Sequence, residues 1–183
     1  SLMLAQRFSA AKITALEIDP EAARQAQENA QSSPFAQQIN VETRDFLRFV
    51  AEQPFDAIVS NPPYFVDSLK NPNPQRTTAR HTDTLSYEEL VCCAERLLTE
   101  DGRLTLILPI EAEEEIIRLG AQYRLHPTRL CRVKGTARKA HKRLLIEFQR
   151  HAAEAVREEE LILMDTNGAR SEAYASLCKD YYL

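Results

Sequence analysis

Phe55-Asp56-Ala57-Ile58-Val59-Ser60-Asn61-Pro62-Pro63-Tyr64-Phe65 is the stretch on which the reading of this chain turns. The run Asp56–Ser60 is short, apolar and rich in strand-forming residues, so it predicts a buried strand; Asn61 and the two prolines end it. The Asn61 side-chain oxygen and the Pro62 carbonyl are both acceptors, suited to an NH2 group whose lone pair is delocalised into a ring or a carbonyl. Holding both N–H bonds favours the sp3 nitrogen that can react. The prolines stiffen the loop so that the acceptors are set in advance, and Tyr64 offers a flat face for stacking a planar base or amide. Without its context the tetrad is a turn signal. A buried strand immediately before it places it at a sheet end, where ligands bind.

Two earlier strand ends complete the pattern. Ile13-Thr14-Ala15-Leu16-Glu17-Ile18 reads as a short buried strand, and Asp19-Pro20 as a helix cap with a favoured first helical residue. Glu17 stands where a doubly wound sheet puts the carboxylate that accepts from ribose hydroxyls; the plain alternative is a surface acid. Asn40-Val41-Glu42-Thr43-Arg44 leads into Asp45-Phe46, an acid and an aromatic that suit an adenine amine and ring, although Asp45 alone also reads as a helix cap.

Ala15–Ala22, Thr43–Phe46 and Phe55–Phe65 together resemble the S-adenosylmethionine-dependent amino-methyltransferases that carry Asn-Pro-Pro-Tyr. The resemblance is stronger to the bacterial family of tRNA adenine-N6 methyltransferases acting beside the anticodon of a valine tRNA. It extends through Arg76-Thr77-Thr78-Ala79-Arg80-His81, Leu104, Ile107-Leu108-Pro109 and Asp180-Tyr181-Tyr182-Leu183. It implies an α/β fold with a Rossmann-like class I methyltransferase sheet and a C-terminal antiparallel hairpin. It also implies S-adenosylmethionine as cofactor, held by Glu17, Asp45, Phe46 and Asn61, and catalysis by Asn61, Pro62 and Tyr64. tRNA is the implied partner of a monomeric cytoplasmic enzyme, with Pro63, Phe65, Arg76, Arg80, His81, Lys139 and Arg143 on the substrate.

Such enzymes carry a first strand and a glycine-rich loop ahead of the first helix. Here Ser1-Leu2-Met3-Leu4-Ala5-Gln6-Arg7-Phe8 reads as the helix after that loop, and none of the four glycines precedes Gly102. The expectation is one methyltransferase domain over residues 1–183, N-terminally incomplete and lacking its first strand, with cofactor binding weakened accordingly. Three other readings share the motif: a glutamine-N5 protein methyltransferase, a DNA adenine methyltransferase, and a non-catalytic RNA-binding relic.

At 183 residues, 44% hydrophobic and 27% charged, the chain has the composition of one ordinary globular unit. No apolar run reaches the length of a membrane span. Cys92, Cys93, Cys131 and Cys178 have no metal-ligand spacing and read as buried thiols, and no metal site is expected. Helices are predicted over Glu21–Ala30, Phe46–Ala51 and Tyr87–Thr99, the last capped by Ser86 with Glu89. Asp101-Gly102 is expected to turn the chain into a strand Arg103–Pro109, and Glu111, Glu113, Glu114 and Glu115 to open a further helix. Thr128–Val133 and Leu144–Gln149 form a predicted hairpin, and Leu161–Met164 one more strand. Lys70–Thr84 has no periodicity and reads as a long loop, either a substrate lid beside the Asn-Pro-Pro-Tyr motif or an inert disordered excursion.

Charge is unevenly spread. The chain is −4 overall, yet Arg129–Arg150 holds eight cations against the single acid Glu147. A +7 stretch in an acidic protein points to phosphate contact, with Lys139 and Arg143 foremost and Gly135 letting the turn bend; the alternative is a charged strand edge that discourages pairing.

Overall fold

Capping starts the first long helix where the sequence places it. The Asp19 carboxylate accepts from Ala22 N at 2.8 Å and Pro20 takes the first helical position, so α2 runs Pro20–Gln31. The computed structural model describes residues 1–62 and 85–181. The chain divides into two compact units, Ser1–Ala51 and Glu52–Leu183.

In the first unit, α1 (Leu2–Arg7) precedes β1 (Ile13–Glu17), α2 and β2 (Ile39–Thr43). The two strands are parallel, from Ile13 opposite Ile39 to Glu17 opposite Thr43. Ala5, Ala30 and Ile39 are buried together, with Ile13, Phe35 and Val41 packed against them. The helix expected over Phe46–Ala51 forms only a 3-10 turn, Phe46–Arg48, after which Phe49 is extended and buried. Burial of Phe49 in an extended conformation draws the chain out of the helical path after one turn.

The second unit is built on a five-stranded sheet. Its elements are β3 (Phe55–Ser60), α3 (Tyr87–Leu97), β4 (Leu98–Pro109), a 3-10 turn (Ile110–Ala112), α4 (Glu113–Gln122), β5 (His126–Lys134), β6 (His141–Gln149), β7 (Arg157–Ile162) and α5 (Glu172–Cys178). The sheet order is β3-β4-β6-β5-β7, with β3 parallel to β4, β6 antiparallel to β4 and to β5, and β7 parallel to β5. On one face Leu104, Leu106 and Leu108 stand opposite Phe148, Ile146 and Leu144, all essentially inaccessible. Helix α4 closes on that face so tightly that a Cβ on Gly120 would lie 2.5 Å from the Phe148 ring.

Two boundaries differ from expectation. Helix α3 begins at its Ser86–Glu89 capping box but stops at Leu97, two residues early, and β4 starts at Leu98 rather than Arg103. Leu98 pairs with Phe55 whereas Arg103 pairs with Ala57, so residues 99–102 bulge from one long strand instead of forming a separate turn. Gly102 fits the bulge because a Cβ there would meet the Phe55 carbonyl at 2.9 Å. The last strand also begins earlier than the apolar run Leu161–Met164. β7 opens with Arg157-Glu158-Glu159-Glu160, and these acids are accommodated in a strand because Arg132, Arg129 and Lys134 of β5 reach diagonally to Glu158, Glu159 and Glu160. Of the four thiols, which are all free, only Cys178 is buried and Cys92 is exposed, correcting the expectation of buried cysteines.

Candidate active site

Asn61 leaves the sheet at the C-terminal end of β3, one residue beyond Ser60, which stands opposite Leu106 of the parallel strand β4. Pro62 is buried while Asn61 is exposed, so the chain is anchored at the proline with the amide on the surface. That end of a parallel pair is where open α/β sheets receive ligands. Pro63, Tyr64, Phe65, Arg76, Arg80 and His81, together with the segment read as a lid, lie outside the described residues.

The first unit presents its own pair of strand ends. Glu17 is the last residue of β1 and half-buried; its Oε1 accepts from Asp19 N at 3.0 Å, which fixes the carboxylate and leaves Oε2 for a ligand. Directly after β2, Arg44 N donates to the Glu17 carbonyl at 3.0 Å, so the two strand ends are tied together. Asp45 lies two positions past Thr43, the partner of Glu17, on the same face; strand spacing and rise put the two Cα atoms about 8 Å apart. Asp45 Oδ1 accepts from Leu47 N at 2.9 Å and caps the 3-10 turn, so the plain reading of this residue holds beside the functional one. Phe46 is half-buried. Sequence reasoning passed over Ile18, which is 67% exposed directly after Glu17. An apolar side chain between two acids at a strand end was the available signal. Two carboxylates flanked by Ile18 and Phe46 match a nucleoside: acceptors for hydroxyls and an amine, apolar surface for a ring.

The basic stretch is only partly available to a ligand. Arg129 is paired with Glu159 at 2.7 Å and Lys134 with Glu160 at 2.8 Å. Arg132 forks onto Glu113 of α4 and reaches Glu158 of β7 at 2.7 Å, while Arg150 binds Glu95 at the end of α3. These contacts hold the Glu113, Glu159 and Glu160 carboxyls below their ordinary value, through hydrogen bonds from Arg132, from Arg129 and from Lys134 with His141 respectively. Four of the eight cations are therefore structural, held by acids distant in sequence. The remainder, Arg138, Lys139, Lys142 and Arg143, are exposed around the β5–β6 turn. Gly135 is not needed for that turn: its φ is not positive and a Cβ there would meet only the end of Lys139, at 3.8 Å.

Because β6 runs back along β4 with Arg143 opposite Pro109, the β5–β6 turn lies at the same sheet end as Asn61. An open groove of about 610 Å³ beyond β4 is lined by Ile110, Glu111, Glu113, Glu114, Ile117 and Arg118. No group of three potential ligands is placed to hold a metal, and no helix is long and apolar enough to cross a membrane, among the described residues.

Comparison with known proteins gives this geometry its family. The methyltransferase small domain model matches residues 1–118. A tRNA1(Val) (adenine(37)-N6)-methyltransferase of Bacteroides thetaiotaomicron is 42% identical over 184 residues, covering all of this chain and 77% of the relative. The chain belongs to the tRNA1(Val) (adenine(37)-N6)-methyltransferase family. A relative of that name from Vibrio vulnificus is 38% identical, with 76% of its length covered. Among solved structures, a predicted O-methyltransferase of Agrobacterium tumefaciens superposes with a TM-score of 0.72 at 19% identity, over 96% of this chain and 81% of that one. A putative class I S-adenosylmethionine-dependent methyltransferase of Listeria monocytogenes gives 0.61 at 13% identity, over 87% and 52%. At those identities the likeness concerns the fold, and the fold is that of class I methyltransferases. Glu17 closes β1, Asp45 follows the end of β2 by two residues and Asn61 follows the end of β3 by one.

Proposed function

We propose that this chain transfers a methyl group from S-adenosylmethionine to the N6 amine of an adenosine in tRNA, beside the anticodon of a valine tRNA. The observation that carries the reading is the pair of acceptors, Asn61 and Pro62, set at the C-terminal end of β3 in a chain 42% identical to a tRNA1(Val) (adenine(37)-N6)-methyltransferase.

S-adenosylmethionine, when bound, supplies an electrophilic methyl group on a sulfonium. In the first unit Glu17 Oε2 would accept from the ribose hydroxyls, Asp45 would accept from the cofactor's adenine amine, and Ile18 and Phe46 would cover the ring. Both carboxylates are already held by backbone N–H groups, so they need little reorganisation to receive it. In the second unit the Asn61 side-chain oxygen and the Pro62 carbonyl accept the two N6 protons of a base splayed from an RNA loop. This would draw the nitrogen lone pair out of the ring and make it available for alkylation. A strong base is unnecessary, since the nitrogen becomes acidic only as it is alkylated. Tyr64 supplies the stacking face.

The test is chemical. Protein incubated with tRNA and methyl-labelled S-adenosylmethionine should yield labelled N6-methyladenosine after digestion to nucleosides. Label in glutamine of a release-factor peptide, with none in RNA, would overturn the assignment in favour of the amide reading.

A further inference from the structure

We propose that the β5–β6 turn, through Arg138, Lys139 and Lys142, binds the phosphate backbone of the RNA whose amine Asn61 receives. The inference rests on the tRNA reading and adds to it where the nucleic acid lies on the second unit.

Three observations carry it. The first is the division of the cations. Along the body of the hairpin Arg129, Arg132 and Lys134 are matched by Glu159, Glu158 and Glu160 of β7. The acids stop there: no Asp or Glu occurs between residues 134 and 146, and Arg138, Lys139 and Lys142 are exposed with no acid partner among the described residues. Edge protection explains a charged strand, but β7 already covers the β5 edge, so the cations at the turn have no edge to guard.

The second is position. With Ser60 opposite Leu106 and Arg143 opposite Pro109, two strand spacings and three residue rises put the base of the turn roughly 14 Å from the start of the Asn61 loop. A nucleotide whose base enters at Asn61 has neighbouring phosphates within that compass. At the same sheet end the 3-10 turn and α4 present Glu111, Glu114 and Glu115, which repel phosphate. The backbone is steered away from α4 and toward the turn.

The third is rigidity. Leu163 N donates to the Lys134 carbonyl at 3.0 Å and Met164 N to that of Gly135 at 2.9 Å, while Lys139 N closes the turn on the Thr136 carbonyl at 3.1 Å. The cations are held on a braced platform, which lowers the ordering cost of each contact.

Each neutralised phosphate of a single strand contributes about 0.7 to the slope of log affinity against log salt, so three contacts contribute about 2. The triple variant Arg138→Ala/Lys139→Ala/Lys142→Ala should bind tRNA about 100-fold more weakly near 0.1 M salt, with a slope shallower by about 2 and the difference vanishing toward 1 M. Its KM for tRNA should rise while kcat at saturating tRNA stays near that of the wild type. Arg129→Gln, which removes a paired cation, should leave the slope unchanged. Melting temperatures report that both variants fold. If wild-type protein methylates tRNA and the triple variant keeps the wild-type slope and KM, the turn is not the phosphate site and the methylation reading stands. If wild-type protein neither binds nor methylates tRNA, both fall.

Discussion

At the scale of single residues the account rests on Asn61. In the proposed mechanism its oxygen would strengthen its hold on N6 as the nitrogen becomes sp3, an interaction that belongs mainly to the transition state. Asn61→Ala should lower turnover by about 100-fold or more, and leave S-adenosylmethionine affinity, measured by calorimetry, within a few-fold of the wild type. Glu17→Gln should do the reverse. It keeps the shape of the strand end but weakens acceptance from the ribose, raising the cofactor dissociation constant with a smaller effect on turnover at saturation. If both variants lost turnover and neither lost affinity, the roles given to the two residues would be wrong. A structural residue makes a separate case. Arg124 sits at φ 58 after α4, the left-handed position of a C-cap in which Leu125 N donates to the Gly120 carbonyl at 2.8 Å. Arg124→Gly should therefore raise stability by about 0.5–1 kcal/mol in urea titration, glycine bearing no Cβ penalty there.

At the scale of elements, the three strands β5, β6 and β7 are joined to α4 by charge as well as by backbone pairing. Glu113, Glu159 and Glu160 are all held below the ordinary carboxylate value of 4.5 by their cations. A carboxylate whose folded pKa is depressed stabilises the fold above its unfolded value, and loses that contribution as pH falls through the folded one. Melting temperature should thus drop progressively below about pH 4.5, and Arg132→Gln, which releases Glu113, should flatten that acid limb. A limb of unchanged steepness would show that the Arg132–Glu113 contact adds nothing. Elements with local signatures were legible in the sequence: α2 from Asp19-Pro20, α3 from Ser86 and Glu89, and β3 from its apolar run, although β3 and β1 are not the buried strands expected: β1 is half-buried throughout, and β3, at one end of the five-stranded order, leaves Val59 50% exposed. β7 was legible only in its apolar tail, because its acids make sense as a strand only once Arg129, Arg132 and Lys134 of the neighbouring strand reach across to them. The same long-range register divided the basic segment into paired and exposed cations, and no local pattern carries that information. The bulge at residues 99–102 likewise depends on how Phe55 and Ala57 meet β4.

At the scale of the whole molecule, the motifs outran the architecture. Asn61-Pro62 and the Glu17 and Asp45 strand ends were readable because each joins a chemical group to a strand terminus within a few residues. Ile18 was missed because an exposed apolar residue is ordinary in a sequence and informative only once its exposure is known. The central claim is that the acceptors at the end of β3 receive the exocyclic amine of one adenosine in a tRNA. The most direct test compares single-turnover methyl transfer to a valine tRNA transcript with transfer to the same transcript carrying purine, which lacks the amine, in place of the adenosine beside the anticodon. The expected result is one methyl group per adenosine-bearing tRNA and none on the purine form. Equal incorporation into both would contradict the account.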